Sequence, residues 1–228
     1  MRCERRPIAV PSDASSDRAM THLAKPSRAL ASQLLDTNVR LLNRTFANLG
    51  VPGVVFGPVA VSNYTGIAWV RSISGRYPGD EGASAKNRPQ AGFKYEIPTT
   101  TVDAYAAHFG LEHIHMLAVD AEGWDPLIVE GAQRLLDAKR VDFLEFEFNN
   151  RGKWSYMARD RRDLRDILQL LHVDGYRCYW LGGDVPWLRG RLALANGAGW
   201  CESFGFPMWS NLVCTHLDWA MRLLDGLT

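Results

Sequence analysis

Glycine is missing from the first 49 residues of this 228-residue chain, and the first one is Gly50. A glycine-rich turn lets the backbone approach a nucleotide closely, because no side chain stands in the way. The printed sequence therefore has no such turn before residue 50, and a dinucleotide-type loop is excluded from that stretch.

A C-x-x-C motif is also missing. The chain has four cysteines without a C-x-x-C pair or a matching histidine cluster, at Cys3, Cys178, Cys201 and Cys214. Scattered thiols are typical of a reducing compartment and argue against a zinc module or a disulfide scaffold. We therefore predict no metal site and a cytoplasmic location. Organelle targeting stays open because of the early arginines Arg2, Arg5 and Arg6.

The chain also lacks a strong net charge of either sign. Lysine and arginine number 26 against 25 acidic residues, which leaves a net charge of +1. Non-specific binding to nucleic acid needs a concentrated basic surface, so we expect no nucleic-acid partner. No apolar run approaches the length of a membrane span. With 46% hydrophobic residues, the chain is long enough to bury one substantial core.

Apolar spacing divides the chain into an irregular amino-terminal segment, residues 1–24, and one domain, residues 25–228. Leucines near helical spacing predict a helix from Pro26 to Leu49, with Gly50 as its stop. Strands are predicted at 54–61, interrupted at Gly57 and Pro58, and at 67–70. Later patterns predict strands at 141–148, 176–181 and 209–215 and helices at 99–109 and 160–173.

An acidic turn stands at the centre of the chain. The apolar run from Ile114 to Val119 predicts a buried strand, and Asp120 and Glu122 follow it directly. In open α/β sheets, ligands bind at the carboxyl ends of the strands. A helix is predicted from Asp125 to Ala138, with proline in its first turn. The turn is therefore the leading candidate for chemistry.

Three sequence blocks resemble the FkbM-type methyltransferases. They are Thr99–Tyr105, Met116–Asp125 and Glu130–Ala132, which match in order the family segments T-x-L-D-x-Y, K-I-D-x-E-G and L-x-G-A. The resemblance implies an α/β, Rossmann-like class I methyltransferase fold, with a mostly parallel sheet and an antiparallel terminal hairpin. It further implies S-adenosylmethionine as cofactor and a hydroxylated small molecule as substrate, with a sugar, lipid or natural product as the methyl acceptor.

The same resemblance covers part of the cofactor site. Ala60, Val61 and Ser62 match the A-V-S that ends the family's third strand, which implies that Val61, Ser62 and Asn63 lie near the adenine. The family's glycine-rich turn, D-x-G-A-N-x-G, has no counterpart here, so we expect the first βα unit to be missing. The chain is then a fragment, a diverged enzyme, or a non-catalytic binding module.

Asp120 and Glu122 are the candidate catalytic residues, because a carboxylate close to a substrate hydroxyl can accept its proton. The structural alternative is that Asp120 caps the following helix and that Asp125 favours its positive end. A second enzyme class also stays open, because Asp120-Ala-Glu122 resembles the D-x-D turn of metal-dependent glycosyltransferases. His113 and His115 lie on one face of a strand, which leaves a metal-binding pair open as an alternative, but we expect ordinary packing or exposure.

Overall fold

The computed structural model describes residues 29–32, 36–50, 53–56, 58–71, 84–86, 91, 95–121, 123–149, 154, 163–181, 192–199 and 209–227. These residues fall into two compact units. The larger unit contains residues 62–64 and the described residues from 101 onwards, and the smaller unit contains those of 29–61 and 65–100. The predicted division into residues 1–24 and 25–228 stays a prediction, since residues 1–24 lie outside the described ones.

The smaller unit contains a short parallel strand pair and a four-stranded sheet. Strands β1 and β2 are parallel and are linked by helix α1, and the sheet has the order β3-β6-β4-β5. The elements are β1 (Ala29–Ser32), α1 (Asp36–Leu49), β2 (Gly53–Phe56), β3 (Ala60–Val61), β4 (Gly66–Arg71), β5 (Ser84–Lys86) and β6 (Tyr95–Thr100). In the sheet, β3 runs parallel to β6, whereas β4 pairs antiparallel with β5 and β6.

The predicted helix from Pro26 to Leu49 was wrong at its start. Ala29–Ser32 form a strand paired with Gly53–Phe56, and the helix begins at Asp36. Local spacing could not reveal this, because the partner strand lies more than 20 residues later in the chain. The predicted interrupted strand at 54–61 is two separate strands, β2 and β3, which belong to different sheets. The predicted strand at 67–70 is confirmed as β4. The expected loss of the family's first βα unit stays a prediction.

The larger unit is built on a five-stranded sheet with the order β10-β9-β11-β8-β7. Its elements are α2 (Val102–His108), β7 (Ile114–Val119), α3 (Asp125–Glu130), α4 (Gln133–Asp137), β8 (Val141–Asn149), α5 (Leu164–Val173), β9 (Arg177–Leu181), β10 (Leu192–Leu194), β11 (Trp209–Thr215) and α6 (Asp218–Asp225). The core lies on this sheet and on α5, where Phe146, Ile167, Leu171 and Tyr179 are fully buried.

The sheet of the larger unit is mixed, whereas a mostly parallel sheet was predicted. Strands β7 and β8 are parallel, but β11 returns antiparallel and lies between β8 and β9. The predicted antiparallel pairing of the late strands is therefore confirmed. It accounts for more of the sheet than expected, because β10 adds a further antiparallel partner to β9.

The predicted single helix from Asp125 to Ala138 is two short helices. Helix α3 ends at Glu130 and α4 begins at Gln133, with Gly131 and Ala132 between them. The apolar spacing continued across the break, so local pattern did not reveal it. Gly131, in the break, makes a close contact that is described below with the candidate site.

Cys178 and Cys214 form a disulfide, so the expectation of separate thiols was wrong for these two residues. They lie opposite each other on the antiparallel strands β9 and β11, with their Cα atoms 4.0 Å apart. Both are fully buried. The 36 residues that separate them in sequence concealed a pairing that the strand register imposes.

No helix among the described residues is long and apolar enough to cross a membrane.

Candidate functional site at the carboxyl end of β7

Asp120 directly follows the last residue of β7, as predicted. The strand itself is not the buried strand that was expected, because β7 lies at the edge of the described sheet and only Val119 of its six residues is buried. Its side chain is exposed, and no hydrogen bond or ion pair to it occurs among the described residues. An exposed carboxylate without a structural partner can accept a proton from a bound hydroxyl group. The alternative role of Asp120 as a helix cap has no support, because Trp124 holds the N-cap position of α3 and makes no side-chain capping bond. Glu122, the second candidate, lies outside the described residues.

Asp125 fixes the acidic turn onto the neighbouring strand. Its carboxylate accepts hydrogen bonds from the N–H of Gly123 at 3.0 Å and from the N–H of Glu147 at 3.3 Å. Because Glu147 belongs to β8, these two bonds join the turn after β7 to the carboxyl half of β8. Gly123 has a φ of 94°, a conformation that favours glycine. Gly123 and Asp125 therefore each have a structural role in the turn.

Burial of Asp125 changes its acidity. The side chain is fully buried, and this burial raises the pKa to about 6, although backbone hydrogen bonds oppose the shift. Sequence analysis predicted that Asp125 would favour the positive end of the helix. Its two N–H partners outside the helix show that it acts mainly as a bridge between the turn and β8.

The carboxyl half of β8 carries the two glutamates that the alternating pattern placed on one face. Glu145 and Glu147 are half-buried, and Glu145 accepts a hydrogen bond from the Asn211 amide at 2.9 Å. The buried Trp154 donates its Nε1–H to the carbonyl of Glu147 at 3.1 Å and packs edge-on against Phe148. The end of β8 is therefore held by side chains from several directions.

Two of the three residues expected near the adenine lie beside the end of α3. The Asn63 amide donates to the Glu130 carboxylate at 2.9 Å, and the Ser62 hydroxyl is buried with 3% of the residue exposed. A Cβ atom at Gly131 would stand 2.2 Å from the carbonyl oxygen of Ser62. This close approach leaves no room for a side chain at residue 131 and accounts for the glycine there. Val61, the third residue, ends β3 in the smaller unit and pairs with Thr100.

Asn63 is the exposed member of the three residues expected near the adenine. An asparagine amide has two N–H donors, and the bond to Glu130 uses one of them. The exposed side chain keeps the second N–H for an acceptor such as a ring nitrogen, while Glu130 fixes its orientation. Ser62 is too buried to offer its hydroxyl to a ligand without a rearrangement, so its contribution would come through the backbone.

Asp103 connects the first and third sequence blocks. Its carboxylate accepts hydrogen bonds from the N–H groups of Arg134 at 3.0 Å and Leu135 at 3.1 Å. These N–H groups lie in the first turn of α4, where they have no acceptor within the helix. Its own N–H donates to the carbonyl of Gly131. Thr100 and Asp103 have the spacing of a capping box on α2. The cap is instead Thr101, whose hydroxyl accepts the N–H of Ala104 at 3.0 Å, and Asp103 caps a different helix.

Sequence reasoning missed one cluster at the other end of the sheet. Asp142, at the start of β8, lies within hydrogen-bond distance of both His113 and His115. The signal available in the sequence was the alternation of the two histidines; the missing partner became visible only through the pairing of β7 with β8.

Comparison with known families gives one match. A model described as the methyltransferase FkbM domain matches residues 36–178, which is more than half of the chain and includes the acidic turn, Asn63 and Asp103. No curated protein and no solved structure shows detectable similarity.

Proposed function

The chain belongs to the FkbM methyltransferase family, and from this membership we propose that it transfers a methyl group from S-adenosylmethionine to a hydroxyl oxygen of a sugar, lipid or natural product. We also propose that its mixed α/β architecture is a variant of the Rossmann-like class I fold. The observation that carries the proposal is the exposed Asp120 carboxylate at the carboxyl end of β7, inside the matched segment.

The proposed reaction is a direct displacement. The hydroxyl oxygen of the substrate forms a bond to the methyl carbon as the bond from that carbon to sulfur breaks, and the hydroxyl proton passes to a base. The cofactor, when bound, supplies the activated methyl group. Asp120 accepts the proton, and Glu122, the second candidate, either shares this task or orients the hydroxyl group.

The surrounding residues keep Asp120 in position. Asp125 ties the turn to β8 through the N–H groups of Gly123 and Glu147, so the carboxylate of Asp120 is carried on a braced loop. Such bracing matters because a misplacement of about 1 Å can cost on the order of 100-fold in rate. On the cofactor side we assign the exposed Asn63 amide, oriented by Glu130, to the adenine, together with the backbone of Val61 and Ser62.

The test begins with calorimetric titration of the full chain with S-adenosylmethionine and with its demethylated product. We expect saturable binding of both, followed by transfer of a labelled methyl group to members of a panel of hydroxylated sugars and lipids. A folded protein that binds neither compound would contradict the proposal and would point to a non-catalytic relative.

A parallel titration uses a sugar nucleotide with Mn²⁺. We expect no binding, because the proposed reaction uses neither component. Binding of the sugar nucleotide in place of S-adenosylmethionine would overturn the proposal in favour of glycosyl transfer.

A further inference from the structure

Two exposed histidines and a largely buried carboxylate converge at the amino ends of β7 and β8. Nε2 of His113 lies 2.8 Å and Nδ1 of His115 lies 2.6 Å from the same oxygen, Oδ2 of Asp142. One potential ligand atom from each residue lies within 4.8 Å of the other two. From this geometry we propose that His113, His115 and Asp142 form a binding site for one divalent transition-metal ion of the zinc type.

The strand register produces the cluster. His113 and His115 are two residues apart and therefore lie on the same face of the chain at the start of β7. Ile114 pairs with Val141 and Met116 with Phe143, which places His115 level with Asp142 on the adjacent parallel strand. The position of His115 beside Asp142 is thus a property of the sheet, and His113 directly precedes the first residue of β7.

Asp142 is held firmly by its neighbours. The carbonyl of Val141 accepts a hydrogen bond from the Tyr176 hydroxyl at 2.8 Å, and the carbonyl of Asp142 accepts one from the Thr215 hydroxyl at 2.8 Å. These bonds fix the backbone on both sides of the Asp142 side chain. A metal site needs such support, because the ligands must be positioned before the ion arrives.

The donor set suits zinc and related ions. Two imidazole nitrogens and one carboxylate oxygen form a borderline-soft ligand group, which favours Zn²⁺ over Mg²⁺ or Ca²⁺. Ligand atoms in a tetrahedral zinc site lie about 3.4 Å apart, given bonds of about 2.0–2.2 Å. The rings of His113 and His115 must therefore move outward by roughly 0.6–0.8 Å relative to Asp142. Their side chains are 43% and 68% exposed, so nothing tightly packed opposes this movement.

Metal binding sets the protonation of the two rings. Each imidazole must offer an unprotonated nitrogen to the ion, so any proton on Nε2 of His113 or Nδ1 of His115 is released to solvent or moves to the other nitrogen of the same ring.

A third histidine, His216, lies beside the Asp142 carboxylate. Nε2 of His216 is buried, has no hydrogen-bond partner among the described residues, and lies 3.9 Å from Oδ1 of Asp142. The imidazole ring of His216 can donate one N–H to Oδ1 of Asp142 while Oδ2 faces the metal. Ligating carboxylates are commonly oriented by such hydrogen bonds.

This site is separate from the acidic turn. His115 and Asp120 lie five residues apart along the extended β7, or about 16 Å at roughly 3.3 Å per residue. The metal ion would therefore not contact a substrate at Asp120. Its effect would be to join the starts of β7 and β8, and the inference does not rest on the proposed methyl transfer.

The test is titration of the chelator-treated full chain with Zn²⁺, followed by calorimetry and by competition with a chromogenic chelator. We expect one Zn²⁺ per chain, bound in the micromolar range or tighter, and a melting temperature raised by several degrees. His115→Ala and His113→Ala should each weaken binding at least tenfold, and Asp142→Asn should do the same without loss of side-chain volume. His216→Ala should weaken it by a smaller factor, because that residue acts through Asp142.

The matched control is His108→Ala, which removes another exposed histidine of the larger unit. It should leave Zn²⁺ affinity unchanged. Binding of Co²⁺ in place of Zn²⁺ separates imidazole from thiolate ligation, since only the latter gives an intense charge-transfer absorption. No Zn²⁺ binding by the folded chain, equal affinity in His115→Ala, or a cobalt–thiolate spectrum would each overturn the proposal.

Discussion

The N–H of Asp103 donates a 2.9 Å hydrogen bond to the carbonyl oxygen of Gly131, while the Asp103 carboxylate caps α4 two residues further along the chain. One aspartate thereby holds both sides of the break between α3 and α4. The first and third blocks that resemble the family are joined through this residue. In the first block, Asp103 caps a helix. In the third block, Gly131 allows a close approach of the backbone to Ser62.

Replacement of Asp103 by Ala should destabilise the larger unit. The substitution removes both side-chain acceptors from the first turn of α4, and loss of a helix cap costs about 1–2 kcal/mol. Urea unfolding followed by circular dichroism measures the change. Arg134→Ala is the control, because the Arg134 side chain is exposed and its ion pair with Asp103 spans 3.6 Å. Equal losses in the two variants would show that the ion pair, and not the cap, is the stabilising interaction.

Gly131→Ala should be more damaging than an ordinary surface change. The new Cβ would stand 2.2 Å from the Ser62 carbonyl oxygen, so the backbone must shift at a cost of roughly 1–3 kcal/mol. The midpoint of urea unfolding reports it. Gly226→Ala is the matched control, since its Cβ would lie 3.4 Å from the nearest atom and its φ is –70°. A Gly131→Ala protein as stable as the Gly226→Ala protein would disprove the contact.

Asp125 should make stability depend on pH between about 4 and 6. The folded pKa, about 6, is higher than the ordinary value of 3.8, so the folded state favours the protonated form. Its stabilising contribution is complete below the unfolded pKa and is lost as the pH rises through about 6. The loss amounts to at most about 3 kcal/mol, at about 1.4 kcal/mol per pKa unit.

The measurement compares urea unfolding of the natural chain with that of Asp125→Asn from pH 4 to pH 8. The free energy of unfolding of the natural chain, relative to the variant, should fall across the lower half of this range and become level above it. A relative stability that rises with pH in that window would show that the carboxylate is stabilised in its ionised form.

Asp120→Asn should abolish methyl transfer while leaving the fold and cofactor binding intact. The amide cannot accept the hydroxyl proton, yet it has nearly the same shape and the side chain is exposed. Labelled methyl transfer and calorimetry measure the two properties separately. Asp218→Asn removes an exposed carboxylate in the first turn of α6 and should retain full activity. An unchanged rate in Asp120→Asn would remove this residue from the chemistry.

The spacing of apolar residues predicted those helices and strands that are determined by a short stretch of sequence. The apolar spacing of Ile167, Leu168 and Leu171 predicted α5, and the alternation from Leu144 to Phe148 predicted β8. The position of Asp120 after β7 is likewise confirmed. In each case a period of 3.6 or 2 residues reflects one buried face, so a short window of sequence contains the necessary information.

Features that depend on strand register could not be predicted in this way. The strand Ala29–Ser32 was assigned to a helix, because its partner Gly53–Phe56 lies beyond the window that defines a helical period. Asp142 belongs to a different strand from His113 and His115, and 26 residues or more separate it from them. The sequence therefore showed the two histidines as an exposed pair without the carboxylate that gives them a possible function.

The covalent bond between Cys178 and Cys214 closes residues 178–214 into a ring. A peptide bond broken anywhere inside this ring opens the chain without releasing either piece. After a single cut by trypsin at Arg189 or Arg191, the protein should migrate as one species on a denaturing gel without reductant and as two fragments with it. Strands β9 and β11 would thus stay attached to each other even after the segment that connects them has been cut.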